Sequence, residues 1–437
     1  MAHFGIFCFP GAGHLNPMLA LGRELQRRGH EVTVFQIADV ENAVRSAGLR
    51  FVQIGRTAFP PASLRKLDEE LSRQKGVSVM RATLERINAT ARMVLEDGPD
   101  AVRGAGVDVL LVDQAEIAAG SVAHYLGIPF LNVICHPPVN ASDQVPPIFF
   151  GWGFRPGVWA RLRNRLGHRL LERLARSAIE TVNHQRALWG LEPFGCTNEF
   201  YSEIGQIAQI PKEFDFPRGD SLPQLFYTGP FVDESARPHV QFPWERLDGR
   251  PLIYASMGTL QNGFADVFRT IAVACSGFNA QLVLALGGQL DPASLGSLPG
   301  NPVAVRYAPQ LELLRRSVLC ITHAGMNTTL EALASGVPMV AIPVGNDQPG
   351  VAARIACSGT GTVVPLRRLS PERLRKAIHA VLTTPSYRHA AGKMRDVIQQ
   401  TNGLQKAADL VIELSARSGV RNLYSAVGPS LVQVGQF

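Results

Sequence analysis

The segment Tyr307–Arg354, YAPQLELLRRSVLCITHAGMNTTLEALASGVPMVAIPVGNDQPGVAAR, decides how this chain is read. Its apolar run Val318–Ile321 has the composition of a buried parallel strand. Thr322-His323-Ala324-Gly325-Met326-Asn327 then turns sharply into the helical pattern Thr328–Ser335. A strand, a small-residue turn and a helix start aim free backbone N–H groups and the positive end of a helix dipole outward, where a phosphate can sit. His323 at the strand tip adds an imidazole beside that anion. The stretch is a phosphate site by construction.

The same residues resemble the nucleotide-binding signature of the UDP-glycosyltransferase superfamily (family 1), inverting enzymes of GT-B fold that glycosylate small molecules. Ala308-Pro309-Gln310, His323 through Glu331, Gly336-Val337-Pro338 and Asp347-Gln348 fall in motif order, and weaker similarity runs over nearly the whole chain. The form Asp347-Gln-Pro-Gly-Val-Ala-Ala-Arg-Ile355 is most similar to the bacterial branch of zeaxanthin glucosyltransferases and macrolide-type glycosyltransferases.

Outward from this segment, 437 residues are too many for one core and predict two domains. No apolar run reaches the roughly 18 residues that span a bilayer. The N-terminus does not read as a secretory leader, because no basic residue precedes Gly5–Phe9 and Pro10-Gly11 ends the apolar run. The six cysteines show no paired spacing, which suits buried thiols in a reducing cytoplasm. A net charge of +7 invites a nucleic-acid reading, yet no lysine-rich run with interleaved aromatics appears. Trp159–Ala178 places Leu162, Leu166, Leu170 and Leu174 on one stripe among arginines. Such a helix is either an ordinary surface helix or one that makes weak peripheral contact with an anionic membrane.

Both halves alternate apolar runs with helical patterns. Phe4–Phe9, Glu31–Gln36, Phe51–Ile54, Val107–Val112 and Phe130–Ile134 read as strands, with helices at Pro17–Arg28 and Ile117–Leu126. Prolines crowd the stretch between Pro211 and Pro251. The alternation then restarts at Leu252–Ser256 and ends in helices Pro371–Leu382, Tyr387–Gln399 and Gly403–Ala416. The expected organisation is an acceptor-binding domain 1–215, a linker 216–250, a nucleotide-sugar-binding domain 251–418 and an aperiodic tail 419–437. This α/β order implies two doubly wound, Rossmann-like sheets facing a cleft, as GT-B architecture does.

The first loop, Pro10-Gly-Ala-Gly-His14-Leu-Asn-Pro17, follows strand one. Gly11 and Gly13 permit a dinucleotide loop, with Asp39 or Glu41 as the ribose carboxylate of an NAD-dependent oxidoreductase. The third glycine of that fingerprint is missing. His14 fits a different role, as a base at the carboxyl end of strand one. In a 3-2-1-4-5 sheet, Asp113 at the end of strand four is its neighbour, and a carboxylate there fixes the imidazole's tautomer. The alternative for His14 is capping or packing.

The resemblance makes His14 and Asp113 the catalytic dyad of an inverting transfer, with no metal and no cofactor beyond the UDP-sugar donor. It places the diphosphate against His323, Gly325, Asn327 and Thr328, with Ser256, Gly258 and Thr259 on the other side. It stacks uracil on Tyr307, beside Ala308 and Gln310, and gives the ribose to Glu331 and the sugar to Asp347 and Gln348; a buried strand-end role for Tyr307 and a plain polar loop after Pro343 are the alternatives. Thr328-x-x-Glu331 also reads as a capping box, so Glu331 has a purely structural alternative. The aromatic-rich Pro146–Phe154, with Phe59 and Val139, reads either as simple core packing or as a loop over a large apolar pocket, which would suit a hydrophobic alcohol such as a carotenoid, terpenoid, sterol, polyketide or flavonoid. A lipid-linked cell-wall acceptor and a nucleotide-sugar-binding regulator without turnover share the architecture.

Overall fold

Short, wholly buried apolar runs pair into two parallel sheets. A computed structural model describes residues 1–67, 77–219, 222, 224–233, 240–258, 265–288 and 290–425. The first sheet holds β1 (His3–Phe7), β2 (Glu31–Gln36), β3 (Arg50–Gln53), β4 (Val109–Asp113), β5 (Phe130–Ile134), β6 (Gln206–Ala208) and β7 (Leu225–Tyr227), in the order β3-β2-β1-β4-β5-β6-β7. The second holds β8 (Leu252–Ser256), β9 (Gln281–Ala285), β10 (Val303–Val305), β11 (Ser317–Thr322), β12 (Met339–Ala341) and β13 (Gly361–Val363), in the order β10-β9-β8-β11-β12-β13. Every pairing is parallel among the described residues, so helices must cover both faces. Two apolar clusters flank each sheet accordingly.

Three details differ from the sequence reading. The first helix begins at Ala12 rather than Pro17, because Gly11 in extended conformation (φ −78°, ψ 144°) serves as its N-cap. The first sheet runs on through β7, within the stretch expected to be linker. The last helix spans Gly403–Ser425, past the expected end at Ala416. It does not stay with the second sheet. Leu404, Ala407, Ala408, Val411 and Leu414 recur at helical spacing and bury in the first sheet's core beside Leu19, Leu21 and Leu25. The chain therefore crosses twice between its two halves.

Register sets the site. Phe7 of β1 lies level with Val112 of β4, and Asp113 with Val133 of β5, so the carboxyl ends of three neighbouring strands open at one edge. Strands β8 and β11 end level in the same way, Thr322 beside Ser256.

Candidate active site

Early helix formation puts His14 in the first turn of helix Ala12–Arg27, above the end of β1. Its Nδ1 lies 2.7 Å from Asp113 Oδ2. Asp113 is wholly buried, and its other contacts are backbone N–H groups, from Phe9 to Oδ2 (3.1 Å) and from Ala115 to Oδ1 (3.1 Å). An ionised carboxylate only accepts, so Nδ1 carries the proton and Nε2 keeps its lone pair. Burial alone would lower the His14 pKa, but the charge and hydrogen bond of Asp113 outweigh it and raise the value above 6.5. Burial likewise works against the Asp113 charge, and His14 more than offsets it, holding the carboxyl below its usual range. Asp347, from the second half, adds to the rise at His14, which places that carboxylate across the cleft.

His14 is one wall of a cavity of about 1100 Å³ lined by both halves. The opposite wall is helix Met326–Ala334, whose N-terminus opens at Gly325. The turn that feeds it is strained: Ala324 takes φ 65°, a left-handed conformation that costs a non-glycine residue on the order of 1 kcal/mol. His323 fills the space beside it. A Cβ on Gly325 or on Gly258 would lie 2.3 Å or 2.5 Å from its Nε2, so both glycines make room for the ring. Burial pushes the His323 pKa down to about 4, leaving a neutral imidazole. A neutral ring packed beside the helix N-terminus leaves the helix's own N–H groups to meet an anionic ligand.

Farther along the same wall, Gln310 donates to Glu331 Oε2 (2.6 Å) and accepts from the Tyr254 hydroxyl (2.9 Å). Thr328 lies within the helix and Gly325 is its N-cap, so Glu331 does not belong to a capping box. Tyr307 is 57% exposed at the rim, its hydroxyl over Gly288, where no Cβ would fit. Gln348 accepts the backbone N–H groups of Val344 (2.8 Å) and Gly345 (3.1 Å) and so shapes the loop carrying Asp347. Ser256, Gly258, Tyr307, Ala308, Gln310, His323, Gly325, Asn327, Thr328, Glu331, Asp347 and Gln348 all face the cavity. Thr259 lies outside the described residues.

Asn327 does something the motif does not announce. Its Nδ2 donates to the carbonyl of Gly13 (3.1 Å), and its Oδ1 accepts from Gln209 (3.2 Å), both in the first half. Pro17 explains the first contact. It sits inside the helix without an N–H, so the Gly13 carbonyl lacks its intrahelical donor, and Asn327 supplies one from across the cleft.

His14 Nδ1, Asp113 and Cys135 have ligand atoms within 4.8 Å of one another, a grouping that could in principle hold a metal ion. Asp113 occupies Nδ1, while burial pushes the Cys135 thiol well above its usual range and it donates to the His14 carbonyl. The dinucleotide reading finds no support: Asp39 accepts from Ala62 (2.8 Å) and Leu64 (2.6 Å) backbone, and Glu41 pairs with Arg45. Of the residues expected to line the acceptor pocket, Phe149 and Val139 line the cavity, whereas Phe59 packs into the core.

Residues 197–402 match the family described as UDP-glucoronosyl and UDP-glucosyl transferase, and residues 11–132 the glycosyltransferase family 28 N-terminal domain. The zeaxanthin glucosyltransferase of Pantoea ananas is 30% identical over 414 residues, covering 94% of this chain and 95% of its own. The chain is a family 1 glycosyltransferase. The 4'-demethylrebeccamycin synthase of Lentzea aerocolonigenes is 29% identical, covering 92% of this chain and 97% of its own. The fold of this glycosyltransferase is GT-B. A solved glycotransferase of kitacinnamycin superposes with a TM-score of 0.74 at 24% identity, over 94% of this chain and 98% of that one.

Sequence reasoning missed His136, whose ring meets that of His14 edge-on with centroids 5.6 Å apart. Its Nδ1 donates to the Pro137 carbonyl (2.8 Å), and burial followed by the His14 charge lowers its pKa, so it stays neutral beside the dyad. The signal was its place just past β5, the next strand in the row that carries His14 and Asp113. It also missed Asp215, buried between the halves and bound by Arg354 (2.8 Å), Arg218 (3.2 Å) and the Tyr227 hydroxyl (2.6 Å).

Proposed function

We propose that this glycosyltransferase moves a hexose, glucose from UDP-glucose, to a hydroxyl of a hydrophobic small molecule with inversion. The observation that carries the reading is the His14–Asp113 pair, which faces the N-terminus of helix Met326–Ala334 across one cavity. His14 Nε2 takes the acceptor hydroxyl proton as that oxygen bonds to the anomeric carbon. The bond from that carbon to the diphosphate oxygen breaks, and its electron pair leaves on UDP. Asp113 stabilises the imidazolium formed. The helix N-terminus, with the His323 ring and Thr328 beside it, meets the charge that grows on the diphosphate. In this proposal no metal ion and no further cofactor take part. Glu331 holds the ribose, Tyr307 stacks on the base, and Asp347 and Gln348 hold the sugar.

Glucose and an apolar acceptor are supported by the zeaxanthin glucosyltransferases among the relatives. A cytoplasmic setting is part of the same proposal and agrees with six free cysteines. The test is mass spectrometry of products from a panel of UDP- and dTDP-sugars with phenolic and carotenoid alcohols. His14→Ala is expected to abolish transfer while UDP affinity stays close to wild type. Collapse of UDP binding in that variant would refute the base assignment, and a protein that binds UDP-glucose yet releases no UDP with any acceptor would refute turnover.

A further inference from the structure

The helix Val158–Leu174 turns its apolar side to water. Trp159 is 83% exposed and Leu166 54%, and Val158, Leu162, Leu170 and Leu174 join them on the surface. Four residues advance a helix by little more than one turn, so leucines at this spacing form a line about 20 Å long. The helix also carries five arginines against one glutamate, a net charge of +4. Arg161, Arg169 and Arg173 are exposed, and none has an ion-pair partner among the described residues.

The exposure is not loose packing. Asn164 is buried and donates to the Asp143 carbonyl (3.0 Å), and Gly167 sits so close to Trp152 that a Cβ would lie 2.9 Å from its ring. The inner face is thus fixed, and His168, Leu171 and Glu172 on it line the large cavity. One rigid helix separates the cavity from an outward stripe of leucine, tryptophan and arginine.

We propose that this helix docks the protein on an anionic lipid bilayer, lying in the plane of the headgroups. An interfacial helix needs this combination: leucines to enter the acyl boundary, a tryptophan at the headgroup level, and arginines for anionic lipid. A second copy is the wrong occupant, because two-fold pairing of the stripe would bring two helices of charge +4 together. A polynucleotide would meet the arginines and leave the leucines wet. Entry of a membrane-dissolved acceptor past Leu171 rests on the acceptor proposed above; docking does not.

The test is cosedimentation of the full chain, with no sugar nucleotide present, on phosphatidylcholine vesicles with and without about one-third phosphatidylglycerol. Binding is expected only to the anionic vesicles and should weaken with salt. Leu166→Glu with Leu170→Glu should abolish it, with the far-UV circular dichroism unchanged because both sites are exposed. Arg161→Ala with Arg169→Ala and Arg173→Ala should weaken partitioning roughly a hundredfold. Lys376→Ala with Arg388→Ala and Lys393→Ala removes the same charge from another surface and should leave it intact. No partitioning onto anionic vesicles, or equal loss from the two triple variants, would overturn the proposal. So would a wild-type dimer that Leu166→Glu with Leu170→Glu splits, since the stripe would then be a subunit interface. None of these readings depends on transfer activity, so failure here leaves the catalytic proposal standing, and the reverse.

Discussion

Asp113→Asn is nearly isosteric, yet the pocket around Asp113 offers its amide no good orientation. Oδ2 accepts from Phe9 N–H (3.1 Å) and His14 Nδ1 (2.7 Å), and Oδ1 accepts from Ala115 N–H (3.1 Å). If the amide nitrogen replaces Oδ2, it opposes the Phe9 N–H and donates to His14 Nδ1. The imidazole proton then moves to Nε2, which can no longer take one. If it replaces Oδ1, it opposes the Ala115 N–H; the His14 geometry survives, but the charge that stabilises imidazolium is gone. Either way a buried backbone N–H loses its acceptor, which costs about 1–3 kcal/mol of stability, and kcat should fall roughly 10²–10⁴-fold. The pH profile adds a signed check. A base must be neutral, so wild-type activity fails as pH falls through the His14 pKa, which stands above 6.5. Without the aspartate charge, burial and Arg86 both pull that value down. The acid limb should therefore move to lower pH even as the plateau drops. Steady-state kcat against pH, with urea unfolding of both proteins, measures all three effects. A kcat within about tenfold of wild type with an unmoved acid limb would refute the dyad.

Three further outcomes are expected. Pro17→Ala supplies the N–H that Gly13 lacks, so Asn327→Ala should cost about 0.5–1 kcal/mol less in the Pro17→Ala background than in the wild type, the Gln209 bond being lost in both; strict additivity in urea unfolding would disprove the bridging role. Asp215→Asn should destabilise the protein by roughly 3–5 kcal/mol at neutral pH by leaving Arg354 buried without its counter-charge. The Arg354 and Arg218 charges hold the Asp215 carboxyl at about 2 against the burial that would raise it. A depressed carboxylate contributes its stability above the unfolded pKa of about 3.9 and loses it as pH falls toward 2, so the gap between variant and wild type should narrow in acid; a constant gap would count against the pair. Glu331→Ala should weaken UDP binding at least about tenfold by titration calorimetry, beyond whatever stability is lost with the Gln310 bond; unchanged affinity with a lowered melting temperature would assign it to packing.

The strands and the wall built on helix Met326–Ala334 were legible in sequence for one physical reason: both are local. A fully buried parallel strand leaves a short apolar run, and a helix start after a small-residue turn leaves its mark within a few positions, so His323, Gly325 and Glu331 could be located without knowing what lies opposite. His14 and Asp113, 99 residues apart, became a pair only through the sheet order, and the structure brings them to 2.7 Å. Boundaries were less legible. Gly11 and Gly13 read as loop, yet a glycine N-cap let the helix start at Ala12, ahead of Pro17. The last helix carries an ordinary amphipathic pattern, and nothing in that pattern says which sheet it covers.

The bonds that join the halves were the least legible, and the reason lies in how the cleft is built. Each sheet opens at the carboxyl ends of its strands, so what faces the gap is turns and helix starts, rich in unpaired backbone groups. Two such surfaces can close only if each answers the other's vacancies. Asn327 does this for a carbonyl that Pro17 left open, and Asp215 does it for the wholly buried Arg354. A proline in a helix reads as a local defect, and a lone arginine on an apolar helix reads as an exposed exception, until the opposite wall is in place. Because Asn327 also stands at the helix start proposed for the diphosphate, a ligand that drew its side chain away would release Gly13 and Gln209 together. Donor binding and the seating of the helix that carries His14 would then be competing demands on one amide, and the Pro17→Ala background would remove the Gly13 share of that competition while the Gln209 share stays.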